Sequence, residues 1–326
     1  MGSSSKWIDS RPDESARHVA RRALKGHLAR MWHFLELAVC ESPEETENVH
    51  QLRVFSRRAV AVIDTFEACI PKKRGRKMLK RMGKVRKAAG AARDCDVLLL
   101  RWADHMRHTP SSHTALLTEQ IKQRRYAVQA PIEKIHAKLT RQQFMRRASE
   151  LVKRIRPARG RAKDACSQQF ECFARTALKH AVVPYLEAAG RELHDAAAMH
   201  AFRIESKQVR YAMEIFGGVF DDRFRRELYP LVEMLQDRLG RINDHVTAQT
   251  YFAAWHAETE PGAVRAALEA GIEREQEDLE ASRRDFFDWW TPNRRADLSN
   301  WFQQYVDVQP DDPPTQADAP NRRYFG

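Results

Sequence analysis

One stretch of this chain is written twice. Residues 49–66, VHQLRVFSRRAVAVIDTF, return as 199–216, MHAFRIESKQVRYAMEIF. His50 aligns with His200, Arg53 with Arg203, Arg57 with Lys207 and Phe66 with Phe216, all at a shift of 150 residues. The same shift sets Gly90-Ala-Ala-Arg-Asp94 on Gly240-Arg-Ile-Asn-Asp244. A register kept across two separated blocks points to two copies of one helical module. The period is much longer than that of a solenoid, so the copies read as duplicated domains.

Each copy has the pattern of an amphipathic helix. Leu52, Phe55, Ala59, Val62 and Phe66 recur at spacings of three and four, while His50, Arg53, Arg57 and Asp64 form a second stripe. In the other copy Met199, Phe202, Val209, Ala212, Met213 and Phe216 lie on one side, and His200, Arg203, Lys207 and Arg210 on another. Both helices thus present a His, a base three residues on and a base seven on.

The chain's 326 residues are enough for two domains with buried cores. Apolar residues make up 43%, which separates this chain from a disordered basic arm. A net charge of +12 and a pI near 9.6 favour a polyanionic partner: nucleic acid, anionic lipid or a phosphate chain. Cys40, Cys69, Cys95, Cys166 and Cys172 are odd in number and include no CxxC pair, as expected of thiols in a reducing compartment. No apolar run approaches the roughly 18 residues needed to cross a bilayer, and MGSSSKWIDS lacks the apolar core of a signal peptide. The expected compartment is the cytoplasm.

In chain order, residues 1–14 are Ser-rich and expected to be disordered. A helix is predicted over about 15–40, carrying Arg17, Arg21, Arg22 and Lys25 on its outer side. The acidic break ESPEETEN precedes the first key helix. Segment 72–87, KKRGRKMLKRMGKVRK, keeps a narrow apolar stripe of Leu79, Met82 and Val85 among ten Lys and Arg residues. Ser111 or Ser112 is placed to cap a helix. One long helix is expected over about 113–156, kinked at Pro131. Pro157-Ala-Arg-Gly160 marks the junction, so the domains run 12–156 and 157–306, with a disordered tail at 307–326. In the second domain Gly217-Gly218 signals a helix end. Further helices follow at about 222–256, 263–289 and, as a short added element, 295–306. No alternating pattern marks a strand. The fold class is all-α, with four sizeable helices per module favouring tandem antiparallel four-helix bundles.

At the repeated residues the sequence resembles the CHAD family, the conserved-histidine alpha-helical domain. The resemblance rests on His50-Gln-Leu-Arg-Val-Phe-Ser-Arg-Arg58 with Gly90-Ala-Ala-Arg-Asp-Cys-Asp96. In the second copy it rests on His200-Ala-Phe-Arg-Ile-Glu-Ser-Lys207 with Leu235-Gln-Asp-Arg-Leu-Gly-Arg-Ile-Asn-Asp-His245. It covers roughly residues 12–291. The resemblance implies two four-helix bundles around a basic central cavity, binding of inorganic polyphosphate and association with polyphosphate granules and their proteins. Carried over by position, the binding residues would be His50, Arg53, Arg57, Arg58, His200, Arg203, Lys207 and Arg210. The wider set adds Arg21, Lys25, Lys80, Lys84, Lys87, Arg93, Arg238 and Arg241. Asp94 and Asp244 would orient the bases. The second copy departs from the pattern at Gln208, opposite Arg58, and at Glu205. Some relatives carry a triphosphate-tunnel domain, but no Glu-x-Glu-x-Lys strand pattern is present here.

Positions i, i+3 and i+7 climb roughly 10 Å along one helix surface, so their charges can meet successive charges of an extended anion. Arg offers a planar fork to phosphate oxygens, and Lys a mobile point charge. Two other functions compete. As a nucleic-acid-binding protein the chain would treat DNA or RNA as its polyanion, yet it has no zinc-finger spacing, KH-type GXXG loop or RNP-like strand pattern. As a metal-dependent polyphosphate-processing enzyme it would need a positioned nucleophile and usually a metal. It has no GxxxxGK[ST] or HExxH motif, and Asp94 and Asp96 do not share a helix face. The expectation is therefore non-catalytic binding, with no cofactor, no metal site and no membrane insertion.

Overall fold

A computed structural model describes residues 6–306 apart from 42, 44, 109, 157–168 and 194. The described residues form helices α1 (Ala16–Cys40), α2 (Thr46–Thr65), α3 (Lys72–Ala88), α4 (Gly90–His108), α5 (Ser112–Ala127), α6 (Ala130–Arg141) and α7 (Phe144–Lys153). Then come α8 (Phe170–Ala189), α9 (Ala196–Phe216), α10 (Tyr229–Glu258), α11 (Ala263–Trp289) and α12 (Pro292–Tyr305). A 3-10 turn, Glu67–Cys69, follows α2, and a π-helical turn, Phe224–Leu228, leads into α10. The bridge between Ser15 and Gln169 is isolated and belongs to no strand. The chain is all-α, with the helix-on-helix packing of a duplicated bundle fold.

The apolar stripes drive the packing. Leu52, Phe55, Ala59, Val62 and Phe66 are buried on α2, as are Met199, Phe202, Val209, Met213 and Phe216 on α9. The repeated phenylalanines meet on a common pair of rings. Phe66 stacks on Phe173 of α8 at 4.9 Å, and Phe216 lies 5.8 Å from Phe170. The main core draws residues from both copies. So does a smaller core, where Cys95, Leu98 and Trp102 of α4 and Leu117 and Ile121 of α5 meet Ala248, Phe252 and Trp255 of α10 and Leu268 of α11. Burial of side chains this large is worth about 1.5–3 kcal/mol each. The two copies are thus joined through apolar contact in two separate cores.

The single helix expected over 113–156 is three helices. Pro131 sits in the first turn of α6, where its missing N–H costs no bond, so it starts a helix and does not kink one. Gln143, at φ 52°, then turns the chain between α6 and α7. Ser111 does cap α5, accepting a bond from the Thr114 N–H at 3.1 Å. The junction at 157–160, the opening of the second module and the tail from 307 lie outside the described residues. The expectation of five thiols also fails: Cys40, Cys95 and Cys172 are free, but Cys69 is disulfide-bonded.

Residues 6–14, expected to be disordered, are packed onto the second copy. Trp7 lies edge-on to Tyr229 at 4.7 Å, Ile8 donates its N–H to the Glu214 carbonyl at 3.1 Å, and Lys6 pairs with Glu233 at 3.1 Å. This explains Gly217 and Gly218. Gly217 is right-handed, not the left-handed cap its sequence suggests. A Cβ there would strike the Trp7 ring, and one on Gly218 would strike the Ser10 backbone. Gly218→Ala should therefore loosen the N-terminal strap and destabilise the protein by about 1–3 kcal/mol. Chemical denaturation followed by Trp fluorescence would measure this, and an unchanged transition would contradict the role given to the strap.

Candidate functional site

The helices bearing the repeated motifs form a closed ring of contacts: α2 packs on α9, α9 on α10, α10 on α4 and α4 on α2. Basic residues of both copies on these helices lie close enough to act on one another. Lys207 is only 8% exposed. Burial and the charges of Arg57, Arg203, Arg210 and Arg53 push its ammonium down to about 5. Two of those arginines belong to α2 and two to α9. Arg53 is lowered to about 10 by burial, then by Arg57. Burial also lowers Arg203 and Arg93, and Arg57 contributes to both. Arg57 is thus the hub of a like-charge cluster built from α2, α4 and α9.

The two aspartates sit where the repeat would put them. Asp94 supports the charged form of Arg53, and Asp244 that of Arg203. Asp94 accepts a hydrogen bond from the Tyr251 hydroxyl at 3.0 Å. Burial raises the Asp244 carboxyl above the ordinary range, against the pull of Arg203, Arg101, Lys207 and Arg93. Arg53 also donates from Nη1 to the Arg86 carbonyl at 3.0 Å, which fixes it to the end of α3. The buried Nε atoms of Arg57, Arg203 and Arg210 have no hydrogen-bond partner. Several donors with net positive charge and few acceptors are suited to receiving an anion.

Other residues of the expected set have different surroundings. Arg58 donates from Nε to Glu214 at 2.8 Å across the α2–α9 contact, with both side chains largely buried. Glu214 also accepts from the Tyr229 hydroxyl at 3.0 Å and lies 3.7 Å from Arg210. Burial alone would lower the Arg210 guanidinium, but Tyr211 and Glu214 more than offset it and hold it above its usual value. Arg238 and Arg241 both pair with Asp285 on α11. Arg21 donates to the Ile155 and Lys153 carbonyls at 2.7 and 3.1 Å, at the C-terminal end of α7. Lys25, Lys80, Lys84 and Lys87 are exposed. The histidines are unequal: His200 is exposed, whereas His50 is half-buried and lowered by burial and by Arg93.

Sequence reasoning missed Glu214, which ties the two copies together. The 150-residue shift pairs it with Asp64, already placed on the polar stripe, so extending the alignment would have found it. It also missed the buried pair of Arg125 with Asp96, at 2.6 Å, which commits Asp96 to packing α4 against α5. A separate cleft of about 550 Å³ lies between α4, α10 and α11, lined in part by Arg101, His105, His245 and Glu275. Glu275 there accepts from Arg101 at 2.6 Å and is paired with His245 at 2.7 Å, so its charges are internally balanced.

Fold and site together define an all-helical protein in which basic residues of two motif copies act on one another, partly offset by Asp94, Asp244 and Glu214. The CHAD domain family model matches residues 22–253, and the chain belongs to that family. Its fold is similar to the crystal structure of the CHAD domain from the plant Ricinus communis, with TM-score 0.68 and 21% identity over 88% of this chain and 96% of that one. It is also similar to PptA from Streptomyces chartreusis, with TM-score 0.60 and 19% identity over 85% and 99% of the two chains. Among curated proteins, none matches the sequence. No described helix is long and apolar enough to cross a membrane. No group of three or more His, Cys, Asp or Glu among the described residues could hold a metal ion.

Lys207 gives the cluster a measurable signature. Its folded-state value of about 5 lies far below the ordinary lysine value, so the unfolded chain binds the proton more tightly. Its burial therefore subtracts stability below about pH 10, increasingly as pH falls toward 5. Lys207→Met should be more stable than the parent by on the order of 1 kcal/mol or more near pH 6, a margin that closes toward pH 10. Denaturation curves across that range check it. A variant less stable throughout would mean that burial among positive charges does not depress Lys207.

Proposed function

We propose that this protein binds inorganic polyphosphate, without chemical turnover, in a basic central cavity formed by the ring of α2, α4, α9 and α10. The observation that carries this reading is Arg57, whose charge acts on Arg53 and Arg93 from its own copy and on Arg203 and Lys207 from the other. Only a ligand with several closely spaced negative charges relieves that repulsion all at once. Membership of a family generally linked to polyphosphate supports the same ligand. His50, Arg53, Arg57, Arg93, Arg203, Lys207 and Arg210 would contact the chain, and Asp94 and Asp244 would hold the arginines in place. Arg58 serves mainly to fasten α2 to α9 through Glu214. Arg21, Arg238 and Arg241 are held by internal partners and contribute less. Through its ligand the protein would associate with polyphosphate granules in the cytoplasm.

Nucleic acid is the competing polyanion. Single-strand binding leans on exposed aromatic platforms, whereas Phe55, Phe66, Phe170, Phe202 and Phe216 are all buried in the cores.

Binding should weaken steeply with salt, because each phosphate contact releases condensed counterions. Arg57→Glu and Arg203→Glu should each weaken polyphosphate binding by more than about tenfold, and Lys122→Glu by no more than about twofold. Titration calorimetry on the three variants, with duplex DNA and single-stranded RNA as competitors, measures this. Equal losses in all three would rule out a defined site. Metal-dependent release of orthophosphate with turnover would rule out the non-catalytic reading.

A further inference from the structure

The outer side of α3 carries a feature that the central cluster does not account for. Lys73, Lys77, Lys80, Lys84 and Lys87 follow one another at spacings of four, three, four and three. At 3.6 residues per turn this is one continuous stripe. All five lysines are exposed, while Gly75, Met78, Leu79, Met82 and Val85 are buried on the opposite side. The stripe therefore faces away from the core.

Among the described residues, none of these ammonium groups meets a carboxylate or other hydrogen-bond acceptor. Elsewhere exposed helix cations do have acids one turn away, as in Arg146 with Glu150, Arg175 with Glu171, Arg223 with Glu227 and Arg274 with Asp278. Like charges at these spacings destabilise a helix. Along this stripe no such acid is found among the described residues, although Arg74 on another side of α3 pairs with Glu150 at 3.6 Å. Arg81 on the flank is lowered by burial and by Arg147 of α7. The residue type also differs from the interior. Buried arginines fix oxygen geometry, whereas lysines on flexible stems follow a run of charges without fixed register.

The stripe leads to the central cluster. The Arg86 carbonyl, in the last turn of α3, accepts from Arg53, and the position of a Cβ on Gly90 would lie 3.7 Å from the same Arg53 nitrogen. From that end the helix runs outward for about 25 Å. We propose that the lysine stripe of α3 is a second polyanion surface, which holds the part of a phosphate chain extending beyond the central cluster and so selects long chains over short ones. This rests on the reading of the cluster as the polyphosphate site. It adds Lys73 and Lys77 to Lys80, Lys84 and Lys87 and gives all five one role. Two linked surfaces raise affinity through effective concentration only when one ligand reaches both.

The test replaces all five lysines with glutamine and titrates the parent and the variant with tripolyphosphate and with long-chain polyphosphate. A long chain offers overlapping registers to both proteins, so comparing variant with parent removes that statistical gain. The expected variant keeps its tripolyphosphate affinity within about twofold and loses about tenfold or more on the long chain. Its salt dependence on the long chain should fall by roughly 0.7–0.9 in log–log slope for each phosphate contact removed. Thermal stability should hold or rise, because like charges are removed. Equal loss on both ligands, or loss on neither, overturns the proposal. So does selective loss of duplex DNA binding with long-chain polyphosphate binding intact. Failure of the underlying reading looks different: the parent would not bind tripolyphosphate, or Arg57→Glu would leave that binding unchanged.

Discussion

Like charges gathered in a buried place repel one another, and every other feature of this fold has to hold them there. Burial first, and then the charge of Arg57, lower the proton affinities of Arg53, Arg93, Arg203 and Lys207. Coulomb repulsion between unit charges at 4 Å is about 4 kcal/mol at an effective dielectric near 20. The opposing force is apolar. Phe66 and Phe216, equivalent residues of the two copies, lock onto Phe173 and Phe170 of α8. A second core joins α4 and α5 to α10 and α11. Glu214 supplies a strongly bonded acid at the α2–α9 contact, facing Arg58, Arg210 and Tyr229.

The duplication is imperfect in a way that matters physically. Glu214 is saturated with donors, but its counterpart Asp64 leaves Oδ2 buried without a partner. Burial and the nearby Glu67 push the Asp64 carboxyl up to about 7. Arg58 crosses to the second copy, while Gln208, at the equivalent position, provides no charge to cross back. Arg93 faces the cluster, and its equivalent is Asn243. The ring therefore has one centre with two unlike walls.

Much of the fold was legible because helices announce themselves through spacing. The stripes of α1 and α11 place their bounds within about a residue of those observed and those of α2 and α9 within three, and the repeat singles out helices that pack on one another. What was hidden depended on partners far away in sequence. Nothing near Trp7 indicates that it rests on Tyr229. The periodicity across 113–156 persists through Pro131 because a proline that starts a helix interrupts the pattern as little as one that bends it. The internal partners of several expected basic residues were hidden for the same reason. Arg21 is held by carbonyls at Lys153 and Ile155, and Arg238 and Arg241 by Asp285, none of which a local window contains.

The account stands on the two motif-bearing helices contributing to one anion site, and the stoichiometry of a ligand too short to bridge separate sites tests this most directly. Calorimetric titration with tripolyphosphate at low salt should give one ligand per chain. Charge reversal at Arg57 alone should then remove that binding, although it alters only the first copy. Two ligands per chain, or a half-sized signal surviving in the Arg57 variant, would mean that each copy binds for itself and that the shared centre does not exist.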